Sequence, residues 1–182
     1  MTVPQSMQVT VLEEAGYKWA MISISLSYLQ PVENMHDVAL KLVKLGEPHC
    51  KFLRQMKLWV SMTAPWYFWK HFQTYNVGVD WPDFGSTSTM NKIMSRPLVQ
   101  DDFGGCIDDS MLNLLNWYIE GKDFRKVIAH LPGAYLYTRV LCMNYSALRN
   151  IIRQRKNHKL EEWEVFISEI LDQVVYPEFL EL

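Results

Sequence analysis

Three polar side chains, Asn144, Asn150 and Arg155, combine chemistry with a suggestive spacing. Six positions separate the asparagines, and five more lead to the arginine. If Asn144 ends a strand and Ala147–Arg155 is a helix, two amides and a guanidinium project near one edge of that strand. Amides donate and accept, and a guanidinium is a planar, permanently charged fork. Such a corner suits a flat hydrogen-bonding ligand, a nucleobase or a flavin ring. The same spacing also fits an ordinary amphipathic helix with a solvated polar face. At about 100° per residue, Arg155 lies about 200° from Arg153 and about 120° from Arg149, so these cations cannot share one face. Asn150 points about 140° from Arg155, so the pair would flank a ligand.

The elements that must position these groups follow from periodicity. Tyr135–Met143 reads as the strand feeding the corner, and a second helix begins near Glu161. Upstream, Gln8–Leu12 reads as a strand and Glu13–Tyr17 as a turn around Gly16. Lys18–Leu29 suits strand and helix equally. Asn34 caps a helix through Leu45, with Val38, Leu42 and Leu45 on one face and Gly46 as the stop. Met56, Leu58, Val60 and Met62 alternate with polar and aromatic partners as a strand, closed by Ala64-Pro65. Pro65 then opens a helix over Trp66–Phe72. Asn76–Ser88 is loop-like, and Thr89–Arg96 forms a short helix. Asp108 or Asp109 caps a helix through Ile119 that Gly121 stops; Phe124–His130 is another, broken by Leu131-Pro132-Gly133. Helices mixed with non-sequential strands, without repeat or linker, predict one α+β domain over 1–182, a central antiparallel sheet flanked by helices.

Composition narrows the function. The 182 residues are 49% hydrophobic with seven tryptophans, enough for a sizeable core. A net charge of −2 gives no reason to expect nucleic acid or an anionic membrane as partner. No apolar run reaches a membrane span, and no secretory signal is visible. Three widely spaced cysteines, Cys50, Cys106 and Cys142, fit reduced, buried structural thiols in a cytoplasmic setting. Five histidines without ligand spacing predict no metal site, and neither a Walker loop nor a Gly-x-Gly-x-x-Gly turn is present. Asp101-Asp102 and Asp108-Asp109 read as loop and cap residues. The run Trp66-Tyr67-Phe68-Trp69 could wall a flat ligand, but core or subunit interface is the commoner use.

Around the corner the order of residues resembles the flavin-dependent thymidylate synthases. The matching elements are Leu131-Pro132, Leu136-Tyr137-Thr138-Arg139, Asn144, Ala147-Leu148-Arg149-Asn150, Arg155 and Glu162-Trp163-Glu164. A weaker likeness runs from about Asp37 to Val175. The resemblance implies the α+β fold of that family and a homotetramer with composite active sites. It implies reductive methylation of dUMP to dTMP with FAD, NADPH and methylenetetrahydrofolate. Asn144 and Asn150 would then hydrogen-bond the flavin, and Arg155 would face the pyrimidine as the catalytic residue.

The middle of the chain departs from the family. Of the histidine motif before the central strand only His49 is kept. The signature Arg-His-Arg falls on Thr74-Tyr75-Asn76, and a phosphate-contacting Ser-Gly-Arg falls on Phe84-Gly85-Ser86. A further phosphate-contacting arginine falls near Ile128. By position, His49, Tyr75 and Asn76 would serve the cofactor, and His71, Thr74, Gly85 and Ser86 the substrate. Replacement cations are available at Lys51, Arg54, Lys70, Lys92 and Arg96. Gly85-Ser86-Thr87-Ser88-Thr89 could hold a phosphate through backbone N–H groups, or be a Ser/Thr-rich helix cap. The missing arginines leave two alternatives: a homologue that binds a nucleotide without the reaction, or a related pyrimidine-modifying enzyme.

Overall fold

Alternation builds the second strand: Leu58, Val60, Met62 and Ala64 are buried and the residues between them are half-exposed. The computed structural model describes residues 7–81 and 92–180. Its four-stranded sheet has the order β1-β2-β4-β3, with β1 Gln8–Ala15, β2 Lys57–Pro65, β3 Val79–Asp80 and β4 Leu136–Asn144. β3 runs antiparallel to β4, pairing Val79 with Met143 and Asp80 with Cys142. Seven helices accompany it among the described residues: α1 Tyr17–Tyr28, α2 Met35–Leu45, α3 Trp66–Phe72, α4 Asp109–Glu120, α5 Phe124–His130, α6 Tyr145–Arg155 and α7 Glu162–Gln173. This is the expected α+β class with an antiparallel sheet. Among the described residues, no helix is long and apolar enough to cross a membrane.

The chain divides into two compact units, one of Met1–Gln8, Met62–Thr74 and Pro82–Arg139, the other of Val9–Ser61, Tyr75–Trp81 and Val140–Leu182. In the first, Pro65 caps α3 as its position predicts. The Trp66 and Tyr67 amides, freed at the helix start, donate to the Tyr135 and Gly133 carbonyls at 3.0 Å each. The buried Arg139 guanidinium lies 5.6 Å from the Trp66 ring and 5.2 Å from the Trp69 ring. Phe103, Leu115 and Val127 centre a separate apolar cluster under α4 and α5. Beside it the Asn116 side chain brackets Leu98, accepting from its N–H at 2.7 Å and donating to its carbonyl at 2.9 Å. Burial works against charge on Asp102, but the forked Arg96 contact, at 2.6 and 2.8 Å, and the Val99 amide hold its carboxyl below the ordinary range.

In the second unit, α7 is tied to β1 by one side chain. Gln173 accepts from the Val11 N–H and donates to the Val9 carbonyl, 2.9 Å each. Further along β1, Glu14 accepts from the Tyr145 hydroxyl and, at 2.8 Å, from the Val175 N–H. Burial first, and then Glu14 itself, hold that phenol well above the usual tyrosine range. A raised folded-state pKa means the stabilisation is complete below the unfolded tyrosine pKa near 10 and is lost as pH climbs beyond it. Tyr145→Phe is therefore expected to lose about 1–3 kcal/mol at neutral pH. Its deficit should shrink as wild type weakens above pH ~10. Urea midpoints for both proteins from neutral to alkaline pH check this; parallel curves would deny the linkage.

Several expectations need correction. Glu13–Ala15 stay in β1, so the turn is confined to Gly16, whose φ is 95°. A Cβ at Gly16 would meet the Gln55 carbonyl oxygen, and that close approach needs glycine. The ambiguous Lys18–Leu29 stretch is helical. α2 has the expected bounds, but its buried stripe is Met35, Ala39 and Val43, and Leu45 is 64% exposed. That stripe rests on a single alanine flanked by larger apolar residues, so the bulkier side chains misdirect the eye. The Asn76–Ser88 loop contains β3, too short to show a period. Cys50 is buried as expected, while Cys106 is exposed and Cys142 intermediate. Gly85, Ser86 and the whole Gly85–Thr89 loop lie outside the described residues, as do positions 89–91 of the expected Thr89–Arg96 helix; of its described residues Lys92 is helical, and residues 93–96 form turn and bend instead.

Candidate functional site

Asn144 closes β4 and caps α6. Its backbone is extended, and its Oδ1 accepts from the Ala147 N–H at 2.8 Å, the hydrogen bond that an Asx cap supplies to a new helix. From this corner α6 presents Ser146, Arg149, Asn150 and Arg153 at i, i+3, i+4 and i+7, a single polar stripe. The stripe and Asn144 line a cleft of about 400 Å³. Opposite stand Glu47, Cys50, Leu53 and Arg54 of the segment before β2, and Val77-Gly78. Gly78, at φ 76°, brings the backbone against Asn144 and accepts from its N–H at 3.0 Å.

The cleft is rich in donors. Asn150 Oδ1 accepts from Arg153 Nη2 at 2.9 Å and from Gln154 Nε2 at 3.0 Å. Two acceptances fill Asn150 Oδ1 and the cap takes one lone pair of Asn144 Oδ1, so the asparagines face a ligand chiefly through their NH2 groups. Arg54, Arg149 and Arg153 add three guanidiniums against one carboxylate, Glu47. Arg149 Nη2 also reaches the Val43 carbonyl at 3.4 Å. Such a lining recognises a ligand that presents acceptors and negative charge. Burial and then Glu47 push the Cys50 thiol up, which keeps it protonated and unsuited to nucleophilic work.

Arg155 lies outside that lining. It continues the buried side of α6 after Leu148, Ile151 and Ile152, and its guanidinium lies 5.3 Å from the Tyr75 ring and 5.0 Å from the Trp163 ring. Its Nε is buried and has no hydrogen-bond partner among the described residues. Trp163, fully buried on α7, packs edge-on against Tyr75 at 5.9 Å and Phe166 at 6.0 Å. The Tyr75 hydroxyl donates to Gln154 at 3.3 Å. Two rings packed edge-on on each other thus flank the arginine on one side and restrain it, leaving donors of its guanidinium to hydrogen-bond.

The structure thus brings Asn144 and Asn150 to one cleft and sets Arg155 beside Tyr75 and Trp163. His49 lines a different depression, of about 320 Å³, with Ser23, Tyr28, Lys51 and Gln55. Asn76 is exposed in the turn before β3. Thr74 donates its hydroxyl to the His71 carbonyl at 2.9 Å, and His71 lies in the last turn of α3. Residue order alone did not single out the pairing of Arg149 with Arg153. The signal was there in their i, i+4 spacing around Asn150.

No family sequence profile matches the chain, and no curated protein sequence is significantly similar. Solved structures do match its fold. Thymidylate synthase X (ThyX) from Helicobacter pylori, with FAD and dUMP, gives a TM-score of 0.73 at 13% identity, covering 96% of each chain. Another H. pylori ThyX structure, also with FAD and dUMP, gives 0.73 at 11% identity over 96% of this chain and 98% of that one. The UMP/dUMP methylase PolB from Streptomyces cacaoi, bound with 5-Br UMP, gives 0.65 at 10% identity over 96% and 92%. At such identities the likeness is one of fold: the chain has the α+β fold of the ThyX proteins.

Proposed function

We propose that the protein is a flavin-dependent enzyme acting on dUMP. The reaction is reductive methylation to dTMP with FAD, NADPH and methylenetetrahydrofolate. One domain over 1–182 would assemble as a homotetramer in the cytoplasm. The donor-rich cleft at Asn144 and Asn150, in a fold shared with FAD- and dUMP-bound ThyX, carries this reading. The residues fit a flavin ring, whose edge offers carbonyl oxygens and ring nitrogens to the two amide NH2 groups. FAD, when bound, supplies the hydride chemistry. Asn144 and Asn150 would orient the ring, and Arg155 would hydrogen-bond a pyrimidine carbonyl and stabilise charge developing there. Exposed Trp19 and Leu26 on α1, with Leu29 just beyond its end, support burial of that surface in an assembly.

A second reading is a relative that binds the nucleotide without catalysis. It is favoured by Thr74-Tyr75-Asn76 at the place of Arg-His-Arg, with Tyr75 buried beneath Arg155. A third, a related pyrimidine-modifying enzyme, is favoured by the fold likeness to PolB. FAD titration and dUMP calorimetry separate the first two; assay of the methylated product with UMP and dUMP separates the first from the third. FAD is expected to bind at micromolar strength with quenched flavin fluorescence. Arg155→Ala should weaken dUMP by about 1.5–3 kcal/mol, the scale of a charge-assisted hydrogen bond. Exposed Lys156, next along the chain, is the control; its alanine variant should match wild type. Arg155-dependent dUMP binding without FAD binding would select the second reading. Absence of both would end the flavin–dUMP assignment.

A further inference from the structure

The geometry points to Arg54, Arg149 and Arg153 as the phosphoryl-binding group of this chain. This rests on reading the Asn144–Asn150 cleft as the flavin or nucleotide site, and it adds how the ligand's anion is held. The protein as a whole is slightly acidic, at −2, yet three arginines meet one carboxylate, Glu47, in a single cleft. They reach it from two segments: Arg54 ends the short helical turn Lys51–Arg54 before β2, and Arg149 and Arg153 lie one turn apart on α6. The arrangement is partly pre-formed. Arg153 is braced by Asn150 at 2.9 Å, and Arg149 by the Val43 carbonyl at 3.4 Å.

Guanidiniums give phosphoryl oxygens paired, charge-assisted hydrogen bonds that hydroxyls or amides cannot match. The asparagine amides beside them donate as well, so a ring with carbonyl acceptors and an attached phosphate satisfies both halves of the lining. Glu47 opposes the anion from across the cleft. Its removal should act opposite to removal of an arginine, a sign that a merely structural role would not give.

The test uses the full chain and compares inorganic pyrophosphate, riboflavin, FMN, FAD, deoxyuridine and dUMP by calorimetry and flavin quenching. Arg153→Gln and Arg54→Gln, both at exposed positions, keep the test independent of folding; Arg149→Gln is added with its melting curve. Exposed Arg125→Gln on α5 is the control. Wild type is expected to prefer phosphorylated ligands over their nucleosides. Each cleft variant should lose about tenfold to a hundredfold for them, and nothing for riboflavin or deoxyuridine. Glu47→Gln should tighten pyrophosphate several-fold. FMN, FAD or dUMP bound with affinity indifferent to all three arginines would overturn the proposal and leave the flavin–dUMP reading standing. Arginine-dependent pyrophosphate binding without flavin or dUMP binding would uphold the anion site and overturn that reading. A folded wild type that binds no phosphorylated ligand and no pyrophosphate would overturn both.

Discussion

Trp163→Ala is expected to cost about 3–5 kcal/mol of stability, the range for emptying a fully buried tryptophan site. Trp163 has no exposed surface and meets Tyr75, Phe166 and His158 edge-on, so the rigid rings around it cannot readily collapse into the gap. The loss also reaches the site. With the Trp163 ring gone, Arg155 loses its 5.0 Å ring contact and retains that to Tyr75 at 5.3 Å, so its position becomes less defined. Trp163→Phe keeps a ring and should fall well below the alanine cost. Urea unfolding of the three proteins checks this, with dUMP calorimetry on those that fold. A deficit below about 1 kcal/mol for alanine would mean that the aromatic platform is not packed as described.

Gly78→Ala is expected to damage the cleft more than the fold. At φ 76° a Cβ brings backbone strain of about 1–2 kcal/mol. It would also stand 2.5 Å from Asn144 Nδ2 and 3.1 Å from the Ala147 Cβ. Asn144 must then leave its cap or the cleft must widen, and either change spoils the donor pair that Asn144 forms with Asn150. Gly105 separates the two effects, having φ 74° but no atom within 4 Å of an added Cβ. Gly105→Ala should show strain alone; Gly78→Ala should show strain plus a loss of FAD binding of at least tenfold. Equal behaviour of the two in thermal melts and flavin titration would remove Gly78 from the site.

Local signals were legible where one physical cue dominated. Pro65 and the strict alternation of β2 located their elements because each depends on backbone geometry or a two-residue period. The strand-to-helix corner at Asn144 was readable for the same reason, since an asparagine cap has its own local chemistry. Partners distant in sequence were not. Nothing near Arg155 announces Tyr75, and nothing near Arg149 announces Arg54, because these contacts join segments about 80 to 100 positions apart. On α2 the buried face, Met35, Ala39 and Val43, differs from the one that Val38, Leu42 and Leu45 suggest, because both sets recur at helical spacing.

The first helix illustrates a separate way of setting orientation. α1 buries Ala20, Met21, Ile24 and Ser25, yet exposes Trp19, Leu26 and Tyr28, so greasiness barely distinguishes its two sides. Rolling the helix about its axis would exchange one apolar set for another. Its azimuth is instead fixed by directional contacts that a roll would break. Ser23 donates to Gln55 at 3.0 Å, Tyr17 meets His36 at 3.0 Å, and Gly16 lets the Gln55 carbonyl come close. Specificity of packing here resides in three small polar latches, and affinity for the core resides elsewhere.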